Sequence, residues 1–248
     1  MLCIWEKLAY HMFKRLIISL LLLCHVGIYS ADKSNDEFII TYYEIEQGPI
    51  INELIKKSYN DIGINPTFIS YPVNRGLHML KNGQSDADAV RIQAVIEQFD
   101  GVIVIPTILV EGDILLLCNK DMPQCTEDIL QDPKQKIGSS IYDLNSVIAK
   151  NNKNYKAEFI RAQDPLRVVQ LMQRGRLKYG LYSVIKGTVP SEISDNFNYT
   201  RVMGVNAVHA LNKRHQNIAQ DLDRAIANNI KALRVPKSEQ QPPANSSQ

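Results

Sequence analysis

Arg91 closes the extended run Ala87-Asp88-Ala89-Val90, and a guanidinium fixed at a strand end can take a carboxylate through two parallel hydrogen bonds. The same placement serves an ion pair with Asp86 or Asp88. Asn74-Arg75, just after Tyr71-Pro72, sets an amide and a guanidinium at the start of a helix, where Arg75 is either a ligand contact or a surface cation. Upstream, Tyr42-Tyr43-Glu44-Ile45-Glu46-Gln47-Gly48 follows an apolar run. Its rings can wall a small ligand, and Glu44 can meet a cationic group, while Glu46 also fits a solvated acidic turn.

Catalytic patterns do not accompany them. The acids that could move protons, Glu44, Glu46, Asp88 and Asp164, have no recognisable catalytic spacing. Gly-x-Ser-x-Gly, His-Glu-x-x-His and phosphate-loop motifs are absent from the sequence. His78, His209 and His215 stand singly, the last two flanking the start of the final helix, which suits packing or capping. No catalytic residue, metal site or cofactor is therefore expected, and the protein reads as a non-enzyme.

Residues 1–31 read as an export signal: Lys14-Arg15, then an apolar run from Leu16 to Cys24, then Gly27, Ser30 and Ala31. The run falls short of the roughly 20 apolar residues a membrane span needs. Met12 is a second candidate start, and an uncleaved anchor or a lipoprotein acylated at Cys24 are the rival readings. Export leaves Cys118 and Cys125 in the mature chain, where an oxidising compartment favours one disulfide over a buried thiol at the end of Leu115-Leu116-Leu117.

The sequence has 248 residues, 45% hydrophobic, with 28 Lys+Arg against 26 Asp+Glu, the proportions of a folded protein able to bury a sizeable core. Beyond residue 31 the two signs balance at 25 each, so nothing electrostatic points to nucleic acid. Apolar runs at 38–43, 67–70, 87–92, 102–105 and 114–117 predict strands, and helical faces at 51–59 and 74–81 lie between the early ones. The later part predicts strands at 136–140, 157–161, 179–185 and 200–205, with helices at 144–150, from Asp164-Pro165 to Gly175, and from Ile218 to Leu233. This alternation implies an α/β fold with a mostly parallel sheet. Residues 236–248 lack apolar periodicity and predict a disordered tail.

Gly83-Gln84-Ser85-Asp86-Ala87-Asp88, ahead of a strand in the first half, and Leu171-Met172-Gln173-Arg174-Gly175-Arg176-Leu177, ahead of a strand in the second, resemble the periplasmic solute-binding proteins of ABC importers. The type II fold and a divergent relative of the polar-amino-acid-binding branch are the nearest likeness, over residues 38–234. The resemblance implies two α/β lobes joined by crossover strands near 111–120 and 195–205, which form the hinge. Lobe one takes 32–116 and returns over 201–235 with the terminal helix, and lobe two takes 117–200. Ligand would lie between the lobes, held by Tyr43, Glu44, Asn74, Arg75 and Arg91 from the first. From the second, Ser139, Ser140 and Tyr142 resemble the family's anion-binding segment, and Tyr182 faces them.

Two departures qualify the ligand. Gln98 stands where the amino-acid binders carry the arginine for the α-carboxylate, and Ser183 where they carry the acid for the α-ammonium. The resemblance implies a monomeric periplasmic protein that binds a small solute and works with the permease of an ABC importer. A membrane-bound sensor is the alternative partner, and a cleft lyase or dehydratase the remaining alternative.

Overall fold

The computed structural model describes residues 37–44, 48–122 and 124–234. The signal reading of residues 1–31, the alternative start Met12, Cys3, Cys24, Glu46 and the tail 236–248 lie outside the described residues.

Strand β1 (Ile39–Tyr42) leads to helix α1 (Gly48–Asp61), β2 (Thr67–Ser70), α2 (Val73–Lys81), β3 (Ala87–Ile92), the short α3 (Gln93–Ile96) and the long β4 (Val102–Asn119). A 3-10 turn (Glu127–Gln131) precedes β5 (Lys136–Ser139), α4 (Leu144–Lys150), β6 (Glu158–Arg161), α5 (Pro165–Gln173), β7 (Tyr179–Ile185) and α6 (Ser191–Asn196). A second long strand, β8 (Phe197–Asn212), a 3-10 segment (Lys213–Ile218) and α7 (Ala219–Arg234) complete the described chain. Local chemistry sets several of these boundaries. Asp164 accepts the Arg167 N–H at 2.7 Å and Pro165 opens α5, while Asp143 caps α4 by accepting the Ser146 N–H.

The eight strands form one sheet in the order β2-β1-β3-β8-β4-β7-β5-β6. The outer pairings, β1 with β2 and β3 and β5 with β6 and β7, are parallel. Those at the centre, β3 with β8, β8 with β4 and β4 with β7, are antiparallel. The sheet is thus mixed rather than mostly parallel. The runs at 102–105 and 114–117 also prove to be two stretches of one 18-residue strand, and the run at 200–205 is part of a 16-residue strand.

These two long strands pair along their lengths, from Val102 opposite Asn212 to Asn119 opposite Phe197, with register shifts at Val104/Ile108, Ile108/Val110 and Ile114/Leu115. They are the crossovers, and at their middle the backbones crowd. A Cβ on Gly112 would stand 2.9 Å from the Val184 carbonyl oxygen and 3.1 Å from Val205 Cγ2, so only glycine fits there without displacement. Glu111 pairs with Lys186 at 2.6 Å and Asp113 with Arg201 at 2.6 Å on either side of it.

Among the described residues, apolar burial divides into three clusters. One gathers Ile40, Ile51, Ile55, Tyr59, Ile105, Leu222 and Ile226 beneath α1 and α7. Another joins Leu115, Leu117, Val168, Val169 and Met172 beneath α5. The largest spans both halves of the sheet, bringing Leu77, Leu80, Val95 and Ile96 together with Ile141, Leu144, Val147 and Ile148. Cys118 and Cys125 form a disulfide, their Cα atoms 5.8 Å apart.

The Gly83-x-x-Asp86 turn acquires a mechanical role. Asp86 accepts the Ile39 N–H at 2.7 Å, which ties the start of β1, and it also meets Arg214 and His215 at 2.5 Å each. Burial raises the Asp86 carboxyl pKa, but these donors outweigh it and hold the group below the usual carboxylate range. His209 lies on β8 rather than at the helix start. Fully buried, it bridges the Ala89 carbonyl at 3.1 Å and the Tyr59 hydroxyl at 2.9 Å. Burial pushes its imidazole down to about 4, against the raising influence of the Ala89 carbonyl.

Two consequences can be measured. Reducing Cys118–Cys125 removes about 2–3 kcal/mol of loop-closure stabilisation, or roughly 5–10 °C in melting temperature by calorimetry. An unchanged melting temperature would show that the loop is held without the bond. His209 is neutral in the fold and gains a proton on unfolding below its ordinary pKa of 6.5, so stability falls as pH drops from there to about 4. The total loss is roughly 3 kcal/mol. Urea midpoints at pH 7 and pH 5 differ less in His209→Gln than in the parent; an equal difference would place the titration elsewhere.

Candidate functional site

Register places the strand ends of the two sheet halves against each other. Ile92, ending β3, lies opposite Ala207, which pairs with Val110 on β4. Ile185, ending β7, lies opposite Gly112, two residues further along the same strand. The carboxyl ends of β1, β2 and β3 therefore face those of β5, β6 and β7 across the middle of the β4–β8 ribbon. Loops and helix starts at such ends present free N–H groups and side chains to a crevice.

On the first side, Arg91 is buried and donates to Asp88 Oδ2 at 2.6 Å, and the Thr41 hydroxyl donates to the same oxygen at 2.8 Å. The ion pair anticipated as the alternative role of Arg91 is present, with Asp88 rather than Asp86. Its Nε and Nη1 have no partner among the described residues. The guanidinium also lies 5.1 Å from the centre of the Tyr43 ring. Burial raises the Tyr43 phenol pKa more than Arg91 lowers it. Gly76 on α2 makes room for this group, since a Cβ there would stand 2.9 Å from Arg91 Nη2. Glu44 is exposed. Asn74 and Arg75 lie in the first turn of α2; the Asn74 Oδ1 has no partner among the described residues, and the Arg75 guanidinium stacks 4.9 Å from the Tyr71 ring centre.

On the second side, Ser139 is buried and its hydroxyl accepts the Ile141 N–H at 3.2 Å, an internal turn bond. Ser140 is half-buried beside it, and Tyr182 packs partly against the cluster beneath α5. Tyr142 reaches furthest: its ring meets His78 at 5.9 Å and Phe99 at 5.6 Å, both from the first half of the chain, and Arg161 stacks over it at 4.7 Å. Lys150, ending α4, pairs with Glu97 at 3.0 Å.

A cavity of about 350 Å³ opens beside the ribbon, walled by Ile92, Gln93, Gly112, Lys150, Arg201 and Asn206 among others. It draws on both sheet halves and on both crossover strands, but the site residues anticipated from sequence do not wall it. The sequence reading also passed over His78, Phe99 and Arg161. Arg161 ends β6 as Arg91 nearly ends β3, so its position at a strand end was the available signal; His78 and Phe99 carried none, because their roles arise from contact with a distant tyrosine.

No family model matches the chain and no curated protein matches its sequence. Solved structures match its shape. The GluR0 ligand-binding core from Nostoc punctiforme, in complex with L-glutamate, aligns with a TM-score of 0.60 at 10% identity over 79% of this chain and 93% of its own. The substrate-binding protein of an amino acid ABC transporter gives 0.59 at 10% identity over 78% and 93%. The Bordetella pertussis BvgS periplasmic VFT2 domain gives 0.59 at 12% identity over 80% and 94%. At such identities the likeness establishes architecture, and the chain has the two-lobed, type II periplasmic-binding-protein-like fold.

Proposed function

We propose that this protein is an exported, monomeric binding protein that captures a small polar or anionic solute between its lobes and presents it to the permease of an ABC importer. The observation that carries the reading is the register of the ribbon, which sets two opposed rows of strand ends around one pair of crossover strands. Passage between lobes falls near Gly112 and Val205, so modest torsional change there alters the opening of the cleft. Solute contacts from both lobes then favour the closed arrangement by their differential affinity for it. Tyr43, Glu44, Asn74, Arg75 and Arg91 form the first wall and Ser139, Ser140, Tyr142 and Tyr182 the second. The residues of the signal pattern support export to the periplasm.

A sensing role uses the same site and closure. It is favoured by the BvgS periplasmic region, where a matching domain occupies only part of a longer chain: this protein covers 42% of it. The two roles differ in which membrane protein the solute-bound form touches.

A thermal-shift screen of residues 32–248 against acids, amino acids, amines, peptides and sugars tests the binding reading. A true solute at a hundredfold its dissociation constant adds about 2.7 kcal/mol, roughly 5–10 °C for a chain of this size. No shift with any class would contradict it. Arg91→Ala separates the two roles of Arg91. Loss of solute affinity with an unchanged melting temperature of the empty protein indicates ligand contact. A fall in that melting temperature of several degrees, with binding retained, indicates that the guanidinium serves Asp88, whose carboxylate is otherwise buried without a cation.

A further inference from the structure

Resting on the solute-binding reading, we propose that the solute carries two separated oxyanion groups, one gripped by Arg75 from the first lobe and the other by Arg161 from the second. The carboxylates of this protein already hold Arg91, Arg201, Arg214 and Arg224. Arg75 and Arg161 have no acid partner among the described residues. Each is exposed, and the guanidinium of each lies over the ring of a tyrosine that follows a strand, Tyr71 at 4.9 Å and Tyr142 at 4.7 Å from the ring centre. A guanidinium held over a ring face is restrained in position while its N–H donors stay available, which suits a carboxylate or a phosphoryl group.

The two arginines belong to one connected strip. Arg75 and His78 are neighbours one turn apart on α2, and the His78 ring meets the Tyr142 ring edge-on at 5.9 Å. Tyr142 in turn carries Arg161. Lys81, a further turn along α2, lies 5.8 Å from the Phe99 ring, which also touches Tyr142. Closing the lobes thus brings like charges toward each other, which opposes closure in the empty protein. A dianion spanning the strip neutralises both ends at once, so its affinity is concentrated in the closed form. A single-headed anion leaves one cation unmatched.

The test uses residues 32–248 and calorimetric titration at low salt with four probe sets: unbranched α,ω-dicarboxylates from succinate to pimelate, phosphorylated carboxylates, monocarboxylates of matching length, and the twenty amino acids. Dicarboxylates or phosphocarboxylates of one length range bind, and the matching monocarboxylates bind roughly 10- to 100-fold more weakly, the worth of one charged hydrogen-bonded contact. Arg75→Gln and Arg161→Gln each lower dianion affinity by a similar factor and leave the empty protein's melting temperature unchanged. Which dianion set binds decides between carboxylate and phosphoryl. Binding of a zwitterion, amine or monoanion with no dianion binding overturns the inference while solute binding stands. Failure of all four sets, and of sugars and peptides, removes the solute-binding reading itself.

Discussion

Antiparallel pairing of β4 with β8 is the constraint on which the rest of the molecule depends. Each strand runs through both halves of the sheet, so every other strand finds its place relative to this ribbon: β3 docks on one end of β8 and β7 on the other end of β4. Because both pairings end near the middle of the ribbon, the strand ends of the two halves must face each other. Gly112 permits the close backbone approach there, and the Glu111–Lys186 and Asp113–Arg201 pairs flank it. These pairs are largely exposed on the cationic side and contribute little stability alone. They lie where a change in lobe angle would alter them.

Much of the layout was legible because local patterns and tertiary demands agree. Residues 144–150 and 179–185 carry periodicities and boundary residues that match the observed α4 and β7. The crossovers were harder. Pro106 and Gly112 break the apolar pattern of β4, so one strand read as two, and only residues 200–205 of β8 read as a strand, because Asn198 before them and Asn206, His209 and Asn212 after them interrupt its apolar pattern. The antiparallel centre of the sheet was invisible for the same reason, since pairing of strands nearly a hundred residues apart leaves no local trace.

Site residues divide along similar lines. Arg91 was legible as a fixed guanidinium, and its partner Asp88 is close enough in sequence to be named as an alternative. The Tyr142 contacts with His78 and Phe99 depend on how the lobes meet, which no spacing encodes. The large cluster joining Leu77 and Val95 to Leu144 and Val147 belongs to the same class. It gives the lobes an apolar contact of their own, so on the proposed reading a solute would supply only the difference between open and closed arrangements. On the proposed reading, the charged strip of Arg75 and Arg161 works against that contact, and the balance between them would make closure responsive to an anion.

The most direct test of this account is the distance between the lobes, measured by pulsed electron resonance between spin labels at exposed Glu53 on α1 and exposed Arg174 beyond α5, with the native disulfide kept oxidised. The account predicts a broad or longer distance in the empty protein that narrows and shortens with the solute that most raises its melting temperature. A distance unchanged by every stabilising compound would mean that the lobes move as one rigid body and that the ribbon is not a hinge.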